Sequence, residues 1–92
     1  MCRISENHFT ELRISRAYSN LVRIPLDDSA IISLGRIGNG EIRMRRVSKT
    51  GVAKEPLFII DFFDHNAQLS IDSRVCHDIA DGAAAFEDYA SR

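Results

Sequence analysis

Asp61, Asp64 and His65 bring two carboxylates and an imidazole within five positions of one another, the set from which a small acid–base enzyme could be built. Asp72 and Asp78 lie further along the same region. A working carboxylate pair needs surroundings that drive its two pKa values apart, and number alone does not supply them. Asp61 interrupts an apolar run, where it must find a partner, face solvent or shift its pKa. It is expected to face solvent on the side opposite Phe62. Nucleophilic chemistry has no visible framework: there is no Gly-x-Ser-x-Gly elbow and no glycine-rich loop leading into a helix. Gly38-Asn39-Gly40 lies between two strand-like runs and reads as a turn.

Metal binding meets a spacing problem. Cys76 and His77 are adjacent, so on a strand they point to opposite faces, whereas structural zinc pairs are separated by two to four residues. Cys2, His8, His65 and Asp64 do not repair that pattern. No metal site and no cofactor is expected, His77 reads as a hydrogen-bonding or exposed residue at a helix start, and Cys76 reads as a small buried apolar residue.

The basic stretch carries the more specific signal. Residues 36–54 hold Arg36, Arg43, Arg45, Arg46, Lys49 and Lys54 against Glu41 alone, a net of +5, while residues 61–92 hold seven acids against Arg74 and Arg92, a net of −5. Residues 1–35 balance. Ten of the twelve bases are Arg, whose planar fork pairs bidentately with phosphate and carboxylate. Arg43 and Arg45 share a parity, so on a strand they stand ~7 Å apart on one face, close to the spacing of successive phosphates along one nucleic-acid strand. Arg36, Asn39, Arg43, Arg45, Arg46, Lys49 and Lys54 are therefore the candidate contacts to a partner or to nucleic acid. Asp64, Asp81, Glu87 and Asp88 are candidates for a second, acidic contact. Tyr18, Phe58, Phe62, Phe63 and Phe86 are assigned to the core, which argues against a platform that stacks single-stranded bases.

The elements that must position these groups read as mostly strand. Thr10 to Tyr18 alternates Leu12, Ile14 and Tyr18 with polar neighbours, Ser19-Asn20 turns, and Leu21 to Ile24 resumes until Pro25. Residues 27–37 are either strand or a short helix capped at Asp27-Asp28-Ser29, with strand favoured by the Asn39-Gly40 hairpin signal that follows. That hairpin sets Ile37 opposite Ile42, Arg36 opposite Arg43 and Ile32 opposite Val47. Ile42, Met44 and Arg46 then share one face, and Glu41, Arg43, Arg45 and Val47 the other. Ser48 to Lys54 reads as a flexible connection. Leu57 to Phe63 reads as a central strand covered on both faces. A hairpin tip at His65-Asn66 would pair Phe62 with Leu69 and Ile60 with Ile71, so that Phe58, Ile60, Phe62, Leu69 and Ile71 form one core face. A helix starts at Asp78, or earlier at Ser73, with Ile79, Ala83, Phe86 and Ala90 as its apolar stripe. Gly82 weakens that helix by about 1 kcal/mol relative to Ala.

Ninety-two residues, 45% hydrophobic and 27% charged, support a single globular domain, residues 1–92, of α+β class: a small antiparallel sheet of four to five strands with one C-terminal helix packed on a face. The longest apolar stretch stops at Asp61, far short of a membrane span, and residues 1–8 lack the apolar core of a secretory signal, so a cytoplasmic protein is expected. Two thiols without paired spacing suit a reducing compartment.

Size, separated charges and the lack of a catalytic constellation point to a non-enzymatic binding or inhibitor module that docks on a larger nucleoprotein or acidic protein surface through its basic hairpin, as a monomer or homodimer. In this general profile, though not in any motif, the chain resembles the small inhibitors carried by phages and mobile elements, including anti-CRISPR proteins that block RNA-guided complexes. The resemblance implies that Arg43, Arg45 and Arg46 contact guide-RNA backbone or acidic subunit surfaces. Two alternatives are a DNA-associated regulatory homo-oligomer joined through an edge strand and a small enzyme using Asp61, Asp64 and His65.

Overall fold

The computed structural model describes residues 3–23, 30–47 and 57–91. They form α1 (Arg3–Arg23), β1 (Ile31–Ile37), β2 (Gly40–Arg46), β3 (Phe58–Asp64), β4 (Leu69–Cys76) and α2 (Ile79–Ala90). The strands make one antiparallel sheet in the order β1-β2-β3-β4, giving the α+β class expected, with helices at both ends of the chain. The positions expected in Asp27-Asp28-Ser29 and in the connection Ser48 to Lys54, including Lys49 and Lys54, lie outside the described residues.

The N-terminal segment is a helix and not the two strands that its local alternation suggests. Ile14, Ala17 and Leu21 are buried and Tyr18 packs beside them, a spacing of three and four that only a helix turns to one side. Leu12, which completes the strand-like alternation, is half exposed. Ile14 and Tyr18 satisfy both periods, and no Gly or Pro interrupts residues 3–23 to break the helix.

Both helices lie on the same side of the sheet. The core joins Ile14, Ala17 and Leu21 of α1 to Leu34, Ile42, Met44, Phe58, Ile60 and Cys76 of the strands and to Ala83, Ala85 and Tyr89 of α2. Leu57 to Phe63 is therefore central within the sheet but is covered by helices on one face only. Alternation along β2 buries Ile42 and Met44 and leaves Glu41, Arg43 and Arg45 on the helix-free face, as expected.

Registers differ from expectation in both hairpins. The first turns at Gly38-Asn39, with Ile37 opposite Gly40 and a positive φ at Gly38 alone, the requirement of a type II′ turn. A bulge between Ser33 and Gly35 then sets Arg36 opposite Glu41, Ser33 opposite Arg43 and Ile32 opposite Met44. The second hairpin has a four-residue tip, 65–68, in which Gln68 takes φ 60°, so Asp64 faces Leu69 and Phe62 faces Asp72. Leu69 and Ile71 consequently leave the core and are half exposed, while Phe58 and Ile60 are fully buried and Phe62 partly so.

Helix α2 begins at the expected cap: Asp78 accepts from the Asp81 N–H at 2.8 Å, and Asp81 accepts from the His77 N–H at 3.2 Å. Its buried face is rotated from the expected stripe, comprising Gly82, Ala83, Ala85 and Tyr89, with Ile79 and Phe86 at its margin and Ala90 exposed. The rotation follows from Gly82, whose missing side chain lets Phe58 and Ile14 approach the helix backbone.

Candidate functional site

Registers across the sheet set the helix-free face as three rows. Ile31, Arg45, Ile59 and Val75 form one; Ser33, Arg43, Asp61 and Ser73 the next; Arg36, Glu41, Phe63 and Ser70 the third. Arg43 and Arg45 thus sit on neighbouring rows of one internal strand, and Arg36 is exposed on the edge strand beside Glu41.

Each of the two internal arginines is held through Nε. Arg43 Nε donates to Glu41 Oε1 at 3.2 Å, and its guanidinium carbon lies 3.9 Å from the centre of the Phe63 ring. Arg45 Nε donates to Asp61 Oδ2 at 3.3 Å. Among the described residues neither terminal nitrogen pair is given a hydrogen-bond acceptor, so each fork keeps its outer edge for something else. Both side chains are thus tethered at Nε to a carboxylate of the same sheet face.

Glu41 is the hub of this arrangement. Ser33 and His65 hydrogen-bond its carboxylate, Arg43 adds a charged donor, and together they hold it down to a pKa of about 2. His65 Nε2 donates to Glu41 Oε1 at 2.8 Å, and the imidazole meets the Phe63 ring edge-on at 5.0 Å. Glu41 is the one acid within the basic stretch, which is the trace it leaves in the sequence; its partners depend on register and leave none. Phe63, assigned to the core by composition, instead lies on the helix-free face beneath Arg43.

Asp61 departs from its expected exposure. It is 6% exposed, with Oδ2 on Arg45 and Oδ1 without a hydrogen-bond partner among the described residues. It lies in register beside Arg43 and holds the Arg45 guanidinium, on a face that alternation alone marks as open.

The other candidates are dispersed. Asn39 lies in the first turn, where its carbonyl accepts from the His65 N–H at 2.9 Å. Arg46 shares the parity of Met44 and so belongs to the other face from Arg43 and Arg45. Asp64 accepts from the Asn66 N–H at 3.0 Å, Asp81 in the first turn of α2 accepts from the His77 N–H, Glu87 is half-buried on α2, and Asp88 forms an ion pair with Arg74. Asp81, Glu87 and Asp88 belong to the helix layer, so the carboxylates that meet Arg43 and Arg45 come from the sheet and not from the acidic helix. Asp61, Asp64 and His65 have three different partners and do not converge.

Cys76 is fully buried, and burial pushes its thiol up to about 11. Among the described residues no three His, Cys, Asp or Glu side chains are grouped to hold a metal ion, and no helix is long and apolar enough to cross a membrane. Scans against protein-family models, curated proteins and solved structures return no match to this chain.

Proposed function

We infer that the protein is a non-enzymatic docking module whose helix-free sheet face binds the phosphate-bearing surface of a larger ribonucleoprotein. One observation carries this reading: Arg43 and Arg45, on one strand, are each fixed through Nε while their outer nitrogens have no described acceptor. A guanidinium already held in place loses less rotamer freedom on binding, and its fork matches a phosphate in a way a lysine does not. The dispersal of Asp61, Asp64 and His65 supports docking over catalysis. The single aromatic ring among the three rows, Phe63, lies under Arg43, so the face suits backbone contact better than base stacking.

The test starts with a pull-down of the tagged chain from its native host, with and without nuclease, followed by titration against the recovered RNA at several salt concentrations. Charge reversal would put new acids beside Glu41 and Asp61, so Arg43→Gln with Arg45→Gln is the better variant. If both arginines meet phosphates, the double variant lowers the log–log salt slope by roughly 1.4 to 1.8 and weakens binding. Arg43→Lys with Arg45→Lys keeps the slope and loses affinity. Affinity and slope unchanged in the Gln double variant would overturn the reading.

A further inference from the structure

The sheet has two edges, and they are treated differently. On β1 the bulge between Ser33 and Gly35 breaks the regular ladder, and the Leu34 carbonyl accepts from Arg13 Nη1 of α1 at 3.0 Å. Such devices blunt an edge against pairing with another chain. β4 also carries a bulge, at Ile71 where the register shifts between Phe62 and Phe63, but the run Asp72–Cys76 beyond it pairs with β3 without interruption, while Ile71 and Val75 are 52% and 56% exposed. The Ser73 N–H donates to the side chain of its neighbour, Asp72 Oδ1, at 2.9 Å, so this edge amide is turned away from β3.

We propose that β4 pairs antiparallel with β4 of a second copy about a two-fold axis through Ser73, joining two four-stranded sheets into one of eight strands. The order of side chains selects this register. Centring the pair on Ser73 sets Asp72 of each chain opposite Arg74 of the other, so two ion pairs form at once within the regular run, and it brings Val75 towards the bulged Ile71 of the other chain. Centring on Asp72 opposes two carboxylates, and centring on Arg74 opposes two guanidiniums, which repel. On pairing, the Ser73 N–H passes from the Asp72 carboxylate to the Ser73 carbonyl of the other chain, and Asp72 is released to meet Arg74. Arg74, whose charged form Asp88 already favours, then lies between two carboxylates. A two-fold axis normal to the sheet keeps both helix layers on one side and both helix-free faces on the other. The inference stands on the β4 edge and does not depend on what the helix-free face binds.

Light scattering after size exclusion, run into the high micromolar range, should give twice the mass of the chain. In a Cys2→Ser background, Ser73→Cys should form a disulfide-linked dimer under mild oxidation. Directly opposed residues of a hydrogen-bonded antiparallel pair lie about 5.5 Å apart at Cα, within disulfide reach. Ser70→Cys, three residues off the axis, should not cross-link. Asp72→Arg and Arg74→Asp should each run as monomers alone and form a heterodimer when mixed, with folding of both checked by circular dichroism. A wild-type chain that stays monomeric, or a dimer in which Ser73→Cys fails to cross-link, would overturn the proposal.

Discussion

Gly82 of α2 lies so close to the Phe58 ring that a Cβ placed on it would stand 2.7 Å from Cε2 and 2.9 Å from Cζ, with Ile14 Cγ2 also at 2.9 Å. Helix propensity alone favours Ala here by about 1 kcal/mol. Overpacking opposes it by about 1–3 kcal/mol, and the fully buried Phe58 ring has no open side to move into. Gly82→Ala should therefore destabilise by about 1 kcal/mol, read as a lower midpoint in urea. A raised midpoint would show that the helix crossing is looser than this contact requires.

Glu41 should make stability depend on acid. Its folded pKa of about 2 lies below its ordinary value of 4.5, so the stability it adds is fully present above 4.5 and is lost as pH falls towards 2. Glu41→Gln should unfold more easily than wild type at pH 7, by about 2 kcal/mol given hydrogen bonds to a charged acceptor. The gap between the two should close between pH 4.5 and 2. Thermal unfolding of both proteins across that range checks it, and a constant gap would contradict the role assigned to the Ser33 and His65 hydrogen bonds.

What could be read from the chain, and what could not, divides along a physical line. Asp78 as a helix cap, Ile42 and Met44 as core, and Arg43 with Arg45 on the opposite face rest on local periodicity and local hydrogen bonding, which short segments carry in themselves. The helix at Arg3–Arg23 was masked because Ile14 and Tyr18 fit both a two-residue and a 3.6-residue period; burial of Ala17 and Leu21 breaks the tie. The strand registers turn on where Gly38 and Gln68 adopt positive φ and on two bulges, features that one-residue differences in turn length decide. The partners of Glu41 and Asp61 depend in turn on those registers. Arg43 and Arg45 are thus legible as types on a face, and the carboxylates that hold them are not.

Cys76 offers a probe of the whole fold. It is buried beside Phe58 and Ile60 in the core, and with its thiol raised to about 11 it presents little thiolate at pH 8. In a Cys2→Ser background, iodoacetamide should label Cys76 only as fast as the chain unfolds, and rapidly in denaturant. Intact-mass measurement over time checks this. Fast labelling of the native protein would mean that the β4 end of the core opens locally.

Arg45 and Asp61 should be coupled in stability as well as in binding. The Asp61 side chain is 9% exposed and that of Arg45 41%, so the ion pair is open on one side only, and solvent screens it in part. Arg45→Ala leaves a buried carboxylate without its charged donor and should destabilise by about 1–3 kcal/mol. Arg36→Ala, on the exposed edge, should change stability by less than about 0.5 kcal/mol. Once Asp61→Asn has removed the charge, Arg45→Ala should cost much less, giving a coupling above the ~0.5 kcal/mol expected of independent sites. The same cycle read as affinity separates position from charge. Asp61→Asn keeps the guanidinium but loosens its stem, so it should weaken RNA binding less than Arg45→Ala does and should leave the salt slope nearly unchanged. Strict additivity in both readouts would mean that Asp61 does not orient Arg45.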